Sequence, residues 1–280
     1  MSAWHKEWDD PAGRVGGSRF GGPGGAVTYW TKQLLLFNGI VFLLLFVLGS
    51  GGARLADWLA VDPARWWTHP PYFPIWQILT YGFVHAGLQH ILFNSLVLYF
   101  FGTMLERALG SRKFLTVYFG ALLIGGLLHA VLAPLVGFTA PMVGASGAIM
   151  GVLVGAAMLF PHSQVLLFFI PIPLWVGASI LFVIDLIGMA QPGGGTAHDV
   201  HLAGALFGFL YIKAGWHLRA DLALFDLPST LAAHRARGRE SHRLGEEARL
   251  DELLARISKA GLNSLSKSEK EFLKRMSKRP

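Results

Sequence analysis

The sequence predicts an all-α membrane protein in which six apolar helices cross a lipid bilayer between two polar tails. Of the 280 residues, 53% are hydrophobic and 15% are charged, whereas a soluble domain carries about 25% charged residues. The apolar residues also gather into runs of about 17 to 25 residues, the length at which a helix spans the hydrocarbon core. Composition and clustering together therefore favour a polytopic membrane protein.

Six apolar segments are the predicted spans, and a long loop over residues 51–83 separates the first from the second. Several tryptophan, tyrosine and phenylalanine residues in that loop predict a segment that lies at the level of the lipid headgroups. The predicted spans are Gln33–Ser50, Val84–Gly102, Phe114–Leu135, Gly144–Phe160, Val165–Ala190 and Asp199–Gly215.

Polar tails flank this predicted core, which we place at residues 33–216. Residues 1–32 are glycine-rich and lack a secretory signal, so we expect a disordered cytoplasmic tail. Residues 217–280 are charged and predict a small helical hairpin at about residues 246–278. Its signals are a capping box, Ser266 to Glu269, and an apolar stripe formed by Leu250, Leu253, Leu254 and Ile257.

Lysine and arginine predict the orientation of the spans. The amino tail, the connection after the second span and the carboxyl tail carry most of them, and with six spans these segments lie on one side. Only Arg54 and Arg65 lie on the other side, so the positive-inside rule places both termini in the cytoplasm. We expect an integral protein of the bacterial inner (plasma) membrane.

The formal charge of +7 does not indicate a nucleic-acid partner, because most of the basic residues lie in the carboxyl tail and not on a folded face. Cysteine is absent from the sequence. This excludes disulfides, thiolate metal sites and a cysteine nucleophile.

Four polar side chains interrupt the predicted spans. His90 and Asn94 are four residues apart and share one face of the second span, whereas Ser146 begins the fourth span and His201 the sixth. These three spans run in the same direction, so all four side chains are expected at one depth in the outer half of the membrane. Polar groups are costly in lipid and are functional candidates by default.

Glycine spacing predicts which of these helices meet. The fourth span has Gly147, Gly151 and Gly155, and the sixth has Gly204 and Gly208, each set in steps of four residues. Small residues at this spacing allow two helices to approach closely in a membrane. We therefore expect the Ser146 hydroxyl to reach the His201 imidazole.

These residue types suit nucleophilic catalysis. A serine hydroxyl is a weak nucleophile until a neighbouring base takes its proton, and a neutral imidazole is the usual base. His90, Asn94 and the backbone N–H of Ser146 are the candidate donors to the oxyanion that forms when an amide is attacked. Losing one such donor typically costs about 2.7 to 4 kcal/mol of transition-state stabilisation.

The ordered motifs His90-x-x-x-Asn94, Gly144-Ala145-Ser146-Gly147 and His201-x-x-Gly204 resemble those of the rhomboid family of intramembrane serine proteases. The resemblance covers residues 33–216, and the tail is similar to extensions on some bacterial members. It implies a rhomboid-like bundle, a Ser-His dyad without an acidic third member, and an oxyanion site at His90 and Asn94. It also implies substrates with a transmembrane segment that is cut near its outer end.

Two positions depart from the family pattern. Met150 stands where many relatives have an aromatic residue against the catalytic imidazole, and a thioether also packs on such a ring. Trp76-Gln77 replaces the Trp-Arg pair often found in the first loop. The nucleophile elbow of soluble hydrolases is rejected, because Ala148 stands where that motif needs glycine.

Two further acids lie in or beside the spans. Asp199 is two residues from His201 and should face away from the partner of that histidine, so a helix N-cap is expected. Asp185 is expected to be protonated or bonded to a neighbouring helix, with a proton relay as the alternative. We expect no metal, because His85, His90 and His201 form no local ligand cluster, and no other cofactor.

Three functions compete on this sequence. An intramembrane endopeptidase leads, with single-pass or polytopic membrane proteins as substrates and lipid as the surrounding partner. A non-catalytic rhomboid-like binder of membrane-protein clients is the alternative, although a binder needs neither Ser146 nor His201. A transporter is disfavoured, because the polar groups occupy one leaflet and do not form a path across the bilayer.

Overall fold

The computed structural model describes residues 26–68, 73–132, 135, 140–167, 169–190, 197–218, 249–259, 261 and 265–277. Most of the predicted amino tail, the connections at 136–139 and 191–196 and the tail at 219–248 therefore lie outside the described residues. The chain divides into two compact units, Met1–Phe225 and Asp226–Pro280.

The first unit is a bundle of helices. Its described helices are α1 (Tyr29–Val47), α2 (Ser50–Leu59), α3 (Pro63–Thr68), α4 (Gln77–Thr80), α5 (Leu88–Val97), α6 (Thr103–Leu109), α7 (Ser111–Leu132), α8 (Ser146–Leu159), α9 (Leu174–Met189) and α10 (His198–Lys213). A π-helical turn at Leu98–Gly102 joins α5 to α6, and 3₁₀ turns occupy Tyr81–Phe83 and Trp216–Leu218.

Three of the described helices are long and apolar enough to cross a membrane: Tyr29–Val47, the continuous rod Leu88–Leu109, and Ser111–Val131. Helices α8 and α9 are shorter but also apolar. Each of the six predicted spans overlaps a helix, so the predicted all-α membrane bundle is confirmed. Ten of the fourteen residues of α8 are buried, which places this helix at the centre of the bundle.

The predicted fifth span begins too early. Residues Gln164–Leu167 and Ile170–Pro173 form an antiparallel hairpin, β1–β2, and α9 starts only at Leu174. A proline ring disfavours the helical conformation in the residue before it, so Pro171 and Pro173 keep Ile170 and Ile172 extended and the helix starts only after them. A continuous apolar run predicted a helix where the prolines impose extended backbone.

The first helix also differs from its prediction at both ends. It begins at Tyr29, inside the predicted tail, because the Glu106 carboxylate accepts hydrogen bonds from the backbone N–H of Trp30 (3.1 Å) and Thr31 (2.9 Å). It ends at Val47 and not at Ser50, since Gly49 adopts a φ of 54° that interrupts the helix.

Close contact between α8 and α10 rests on glycine, as the spacing predicts. A Cβ atom on Gly204 would lie 2.0 Å from the Gly147 carbonyl oxygen, and one on Gly208 would lie 2.2 Å from the Gly151 carbonyl oxygen. Gly155 is different, because a Cβ there would make ordinary contacts of 3.5 Å with Leu105. The two helices therefore meet backbone to backbone over the turns that follow Ser146 and His201.

Hydrogen bonds of Gln77 connect three helices in the predicted aromatic loop. Gln77 stands at the position where the family resemblance implies an arginine. Its buried side-chain oxygen accepts hydrogen bonds from the Trp66 indole (3.1 Å) and the Asp62 backbone N–H (3.3 Å), and its amide donates to the Trp58 carbonyl (3.2 Å). The neutral amide thus links α2, α3 and α4.

The second unit contains α11 (residues 249–259) and α12 (Lys267–Met276). Its core is formed by Leu253, Leu265 and Phe272. The predicted capping box is confirmed, since the Ser266 backbone N–H donates to Glu269 Oε2 (2.8 Å). The predicted apolar stripe is wrong at Leu254, which is 51% exposed.

Candidate active site

The four polar side chains predicted to lie at one depth are at the same end of the bundle. Ser146 is the first residue of α8, and His201 is the fourth residue of α10. The Ser146 Oγ lies 2.7 Å from the His201 Nε2. The predicted approach of hydroxyl to imidazole is therefore present, and it follows from the glycine contact between the two helices one turn further along.

The segment that leads into Ser146 is held in a fixed conformation. The Gly144 backbone N–H donates to the Tyr81 carbonyl (2.9 Å), and Met142 pairs with Val61 as an antiparallel bridge. Gly144 has a φ of 123°, which a residue with a side chain rarely adopts. A Cβ atom there would also lie 2.6 Å from the His90 ring, so glycine leaves the space beside Ser146 open.

His90 and Asn94 both border this space. The Cβ position on Gly144 would lie 2.7 Å from His90 Nε2 and 3.8 Å from Asn94 Nδ2, two residues before Ser146. Among the described residues, the Asn94 Nδ2 group is buried without a hydrogen-bond partner. A buried donor without a partner is uncommon and is available to an incoming acceptor. The Ser146 N–H at the helix start likewise has no partner within the helix.

Asp185 is the residue to which the sequence assigned no part in the proposed catalysis. Its Oδ1 atom on α9 lies 2.9 Å from His201 Nδ1 and 2.6 Å from His198 Nδ1. The expected bond to a neighbouring helix is thus present. It also places an acid against His201, whereas the family resemblance implies none. The sequence carried a signal, since Asp185 and His201 lie on either side of the connection between the fifth and sixth predicted spans.

Asp199 is not the N-cap of α10. Ala197 occupies that position without a side-chain cap, and the Asp199 carboxylate instead lies 2.6 Å from Nδ1 of the buried His129 on α7. His129 Nε2 lies 3.3 Å from the Ala140 carbonyl oxygen. The expectation that Asp199 faces away from the partner of His201 agrees with this contact, while the cap assignment was wrong because a buried imidazole takes the carboxylate.

Three side chains that carry metal-ligand atoms lie close together. The ligand atoms of Asp185, His198 and His201 all lie within 4.8 Å of one another, a cluster that the sequence did not suggest. Tetrahedral Zn²⁺ with bonds of 2.0 to 2.1 Å would separate its ligand atoms by about 3.3 Å. The contacts of 2.6 and 2.9 Å to the Asp185 carboxylate are shorter and suit hydrogen bonds.

Met150 is buried in an apolar cluster with Leu153 and Ala205. Residues of α8, α9 and α10 meet in this cluster, and Met150 enters it one turn after Ser146. Its packing on the His201 ring stays a prediction, as do the catalytic roles of Ser146, His201, His90 and Asn94.

Comparison with known proteins supplies the family. Residues 73–217 match the Rhomboid domain, and residues 240–279 match a family of unknown function, DUF6576. Rhomboid protein 1, mitochondrial, of Saccharomyces cerevisiae is 35% identical over 51% of this chain and 41% of its own length. The human presenilin-associated rhomboid-like protein, mitochondrial, is 33% identical over 49% of this chain and 37% of its own.

A bacterial relative, the rhomboid protease GluP of Bacillus subtilis, is 31% identical over 64% of this chain and 34% of its own length. The chain therefore spans well under half the length of these curated relatives.

Proposed function

The chain belongs to the rhomboid family, and on that premise we propose that it is an intramembrane serine endopeptidase. Its substrates are the transmembrane segments of other membrane proteins. The observation that carries the proposal is the hydrogen bond of 2.7 Å between the Ser146 hydroxyl and the His201 Nε2 inside an apolar bundle. A scaffold that only binds membrane-protein clients has no use for this pair.

Acylation begins when the Ser146 Oγ attacks the carbonyl carbon of the scissile peptide while its proton passes to His201 Nε2. The carbonyl oxygen becomes an oxyanion, and the donors beside Gly144 stabilise it: the Asn94 amide, the His90 imidazole and the Ser146 N–H. His90 and Asn94 border the space beside Gly144 without any substrate, and a donor already in place in an apolar site stabilises developing charge more than water does. The C–N bond then breaks as His201 returns the proton to the leaving amine.

Deacylation repeats the sequence with water as the nucleophile. His201 takes a proton from the water molecule, whose oxygen attacks the acyl carbon, and the oxyanion forms again at the same donors. The bond between the carbon and the Ser146 Oγ breaks, and the proton returns to the serine oxygen. No cofactor is required by this chemistry, because every proton is carried by His201.

The chain is an integral membrane protein, and the topology is part of the proposal. We place both termini on the lysine- and arginine-rich side, so that the end of the bundle carrying Ser146 lies near the outer face of the membrane. The bacterial plasma membrane remains a prediction, since both mitochondrial and bacterial relatives match this chain.

The proposal is tested with purified full-length protein in detergent, assayed with a fluorophosphonate probe and with a model transmembrane substrate. Ser146→Ala and His201→Ala should each abolish cleavage, and the double variant should resemble either single variant because the two groups act as a unit. His162 and Ser163 lie beyond the opposite end of α8. The variants His162→Ala and Ser163→Ala therefore control for the same chemical changes away from the site. A folded Ser146→Ala protein that still cleaves at the wild-type rate would favour the non-catalytic binder.

A further inference from the structure

A buried carboxylate lies between two imidazoles at the contact of α9 and α10. Asp185 is 5% exposed, and one of its oxygens, Oδ1, lies within hydrogen-bond distance of His201 Nδ1 and His198 Nδ1. An ionised carboxylate only accepts hydrogen bonds. With Asp185 ionised, both Nδ1 atoms donate to it and therefore carry a proton, which leaves the lone pair of a neutral His201 on Nε2, the atom that faces Ser146.

We propose that Asp185 is a positioning residue for His201, so that the reactive group of this chain is a Ser146–His201–Asp185 triad in which His198 anchors the acid. The proposal rests on the proposed protease function. It adds an acid that the family resemblance does not imply, and it gives His198 a role that the sequence motifs do not contain.

Asp185 would act on both the tautomer and the charge of His201. A neutral imidazole exists as two tautomers, and only the one with its proton on Nδ1 can take a proton from Ser146 through Nε2. A carboxylate that accepts from Nδ1 selects this tautomer and fixes the ring plane. When His201 becomes an imidazolium, the same carboxylate is an opposite charge at 2.9 Å in an apolar environment.

The place of the His198 ring beside Asp185 depends on a glycine of α9. A Cβ atom on Gly188 would lie 2.2 Å from the His198 Nε2, so the glycine leaves room for that ring. Asp185 and Gly188 are three residues apart on α9, and His198 and His201 are three apart on α10. Residues three apart share a helix face, so each helix presents a matched pair to the other.

His198 gives the acid a second hydrogen-bond donor, on the same oxygen that His201 contacts. A buried carboxylate is costly unless donors satisfy it, and the contact of 2.6 Å from His198 Nδ1 is the shorter of the two. Removing this donor would leave Asp185 held by His201 alone. We therefore expect His198→Ala to impair catalysis less than Asp185→Asn does, and in the same kinetic constant.

The kinetic test compares wild-type protein, Asp185→Asn and the matched control Asp199→Asn, all full length in detergent with a transmembrane substrate. An asparagine keeps the shape of Asp185, but its amide can donate to Nδ1 and select the wrong tautomer. The same change in the triad of a soluble protease lowers kcat by about 10⁴-fold, and we expect a fall in kcat of roughly 10² to 10⁴-fold here with KM unchanged. Asp199→Asn should keep its kcat, because its partner is His129 and not His201.

The spectroscopic test reads the tautomer directly by ¹⁵N NMR of histidine-labelled protein. The His201 signal, identified by its loss in His201→Gln, should show a protonated Nδ1 in the wild type and a protonated Nε2 in Asp185→Asn. A proton on Nε2 in the wild type would overturn the proposal even if Asp185→Asn fails to fold. So would a folded Asp185→Asn protein with wild-type kcat. Wild-type protein that does not cleave would instead refute the proposed function, while the tautomer still reports on Asp185.

Discussion

Gly204→Ala is expected to inactivate the protein without touching a reactive group. The added Cβ would lie 2.0 Å from the Gly147 carbonyl oxygen, whereas a carbon contacts such an oxygen at about 3.3 Å or more. The obstacle is backbone, so no side chain can rotate away. Helix α10 must therefore move away from α8 by about 1.3 Å, the difference between those two distances.

That displacement reaches the reactive pair, because His201 is three residues before Gly204 on the same helix. Added to the present separation of 2.7 Å, it would place the Ser146 Oγ and His201 Nε2 atoms about 4.0 Å apart, beyond hydrogen-bond range. A misplacement of about 1 Å costs on the order of 10²-fold in rate. We expect at least that loss in fluorophosphonate labelling, and overpacking should lower stability by about 1 to 3 kcal/mol.

Gly155→Ala is the matched control on α8, because its added Cβ meets Leu105 only at ordinary distance. Gly155→Ala should be labelled at the wild-type rate and should unfold at the wild-type temperature. Labelling rates and thermal unfolding are measured on the same detergent preparations. If a folded Gly204→Ala protein is labelled at the wild-type rate, backbone contact between α8 and α10 does not set the distance between Ser146 and His201.

Three further predictions concern other parts of the chain. Asn94→Ala should lower cleavage of a transmembrane substrate by roughly 10 to 1,000-fold, and unchanged turnover in a folded variant would assign Asn94 to helix packing. The Ser266 backbone and hydroxyl donors hold the pKa of Glu269 below its ordinary value of 4.5. The hydrogen bonds of this cap should therefore stabilise α12 above pH 4.5. They should be lost as the pH falls through the lower pKa that Glu269 has in the folded protein. In limited proteolysis across this pH range, α12 of the wild type should become easier to cleave as the pH falls, whereas α12 of Glu269→Gln should not. Equal pH profiles of the two proteins would contradict this prediction. Ala140→Cys should react with an impermeant thiol reagent added from outside intact cells, whereas Lys270→Cys should not; the reverse result would invert the proposed topology.

The sequence by itself determined the membrane class, the presence of a helix in each of the six apolar segments, and His201, His90 and Asn94 as polar residues near Ser146. Hydrophobic run length, the spacing of His90 and Asn94 and the glycine steps are local properties, and local geometry carries them into the structure unchanged. The positions of Ser146 and His201 at the starts of their spans also place both residues at one end of the bundle, because counting residues along a helix gives height in a bundle directly.

Only the tertiary structure decided which acid meets which histidine. Asp199 is closer to His201 in sequence, yet it binds His129, while the more distant Asp185 binds His201. The choice depends on how α7 and α9 are rotated about their own axes against α10, and rotation is set by packing between helices, which no single segment encodes. The same holds for Leu174, where α9 begins, since an apolar run does not reveal that β1 and β2 pair with each other before the helix starts.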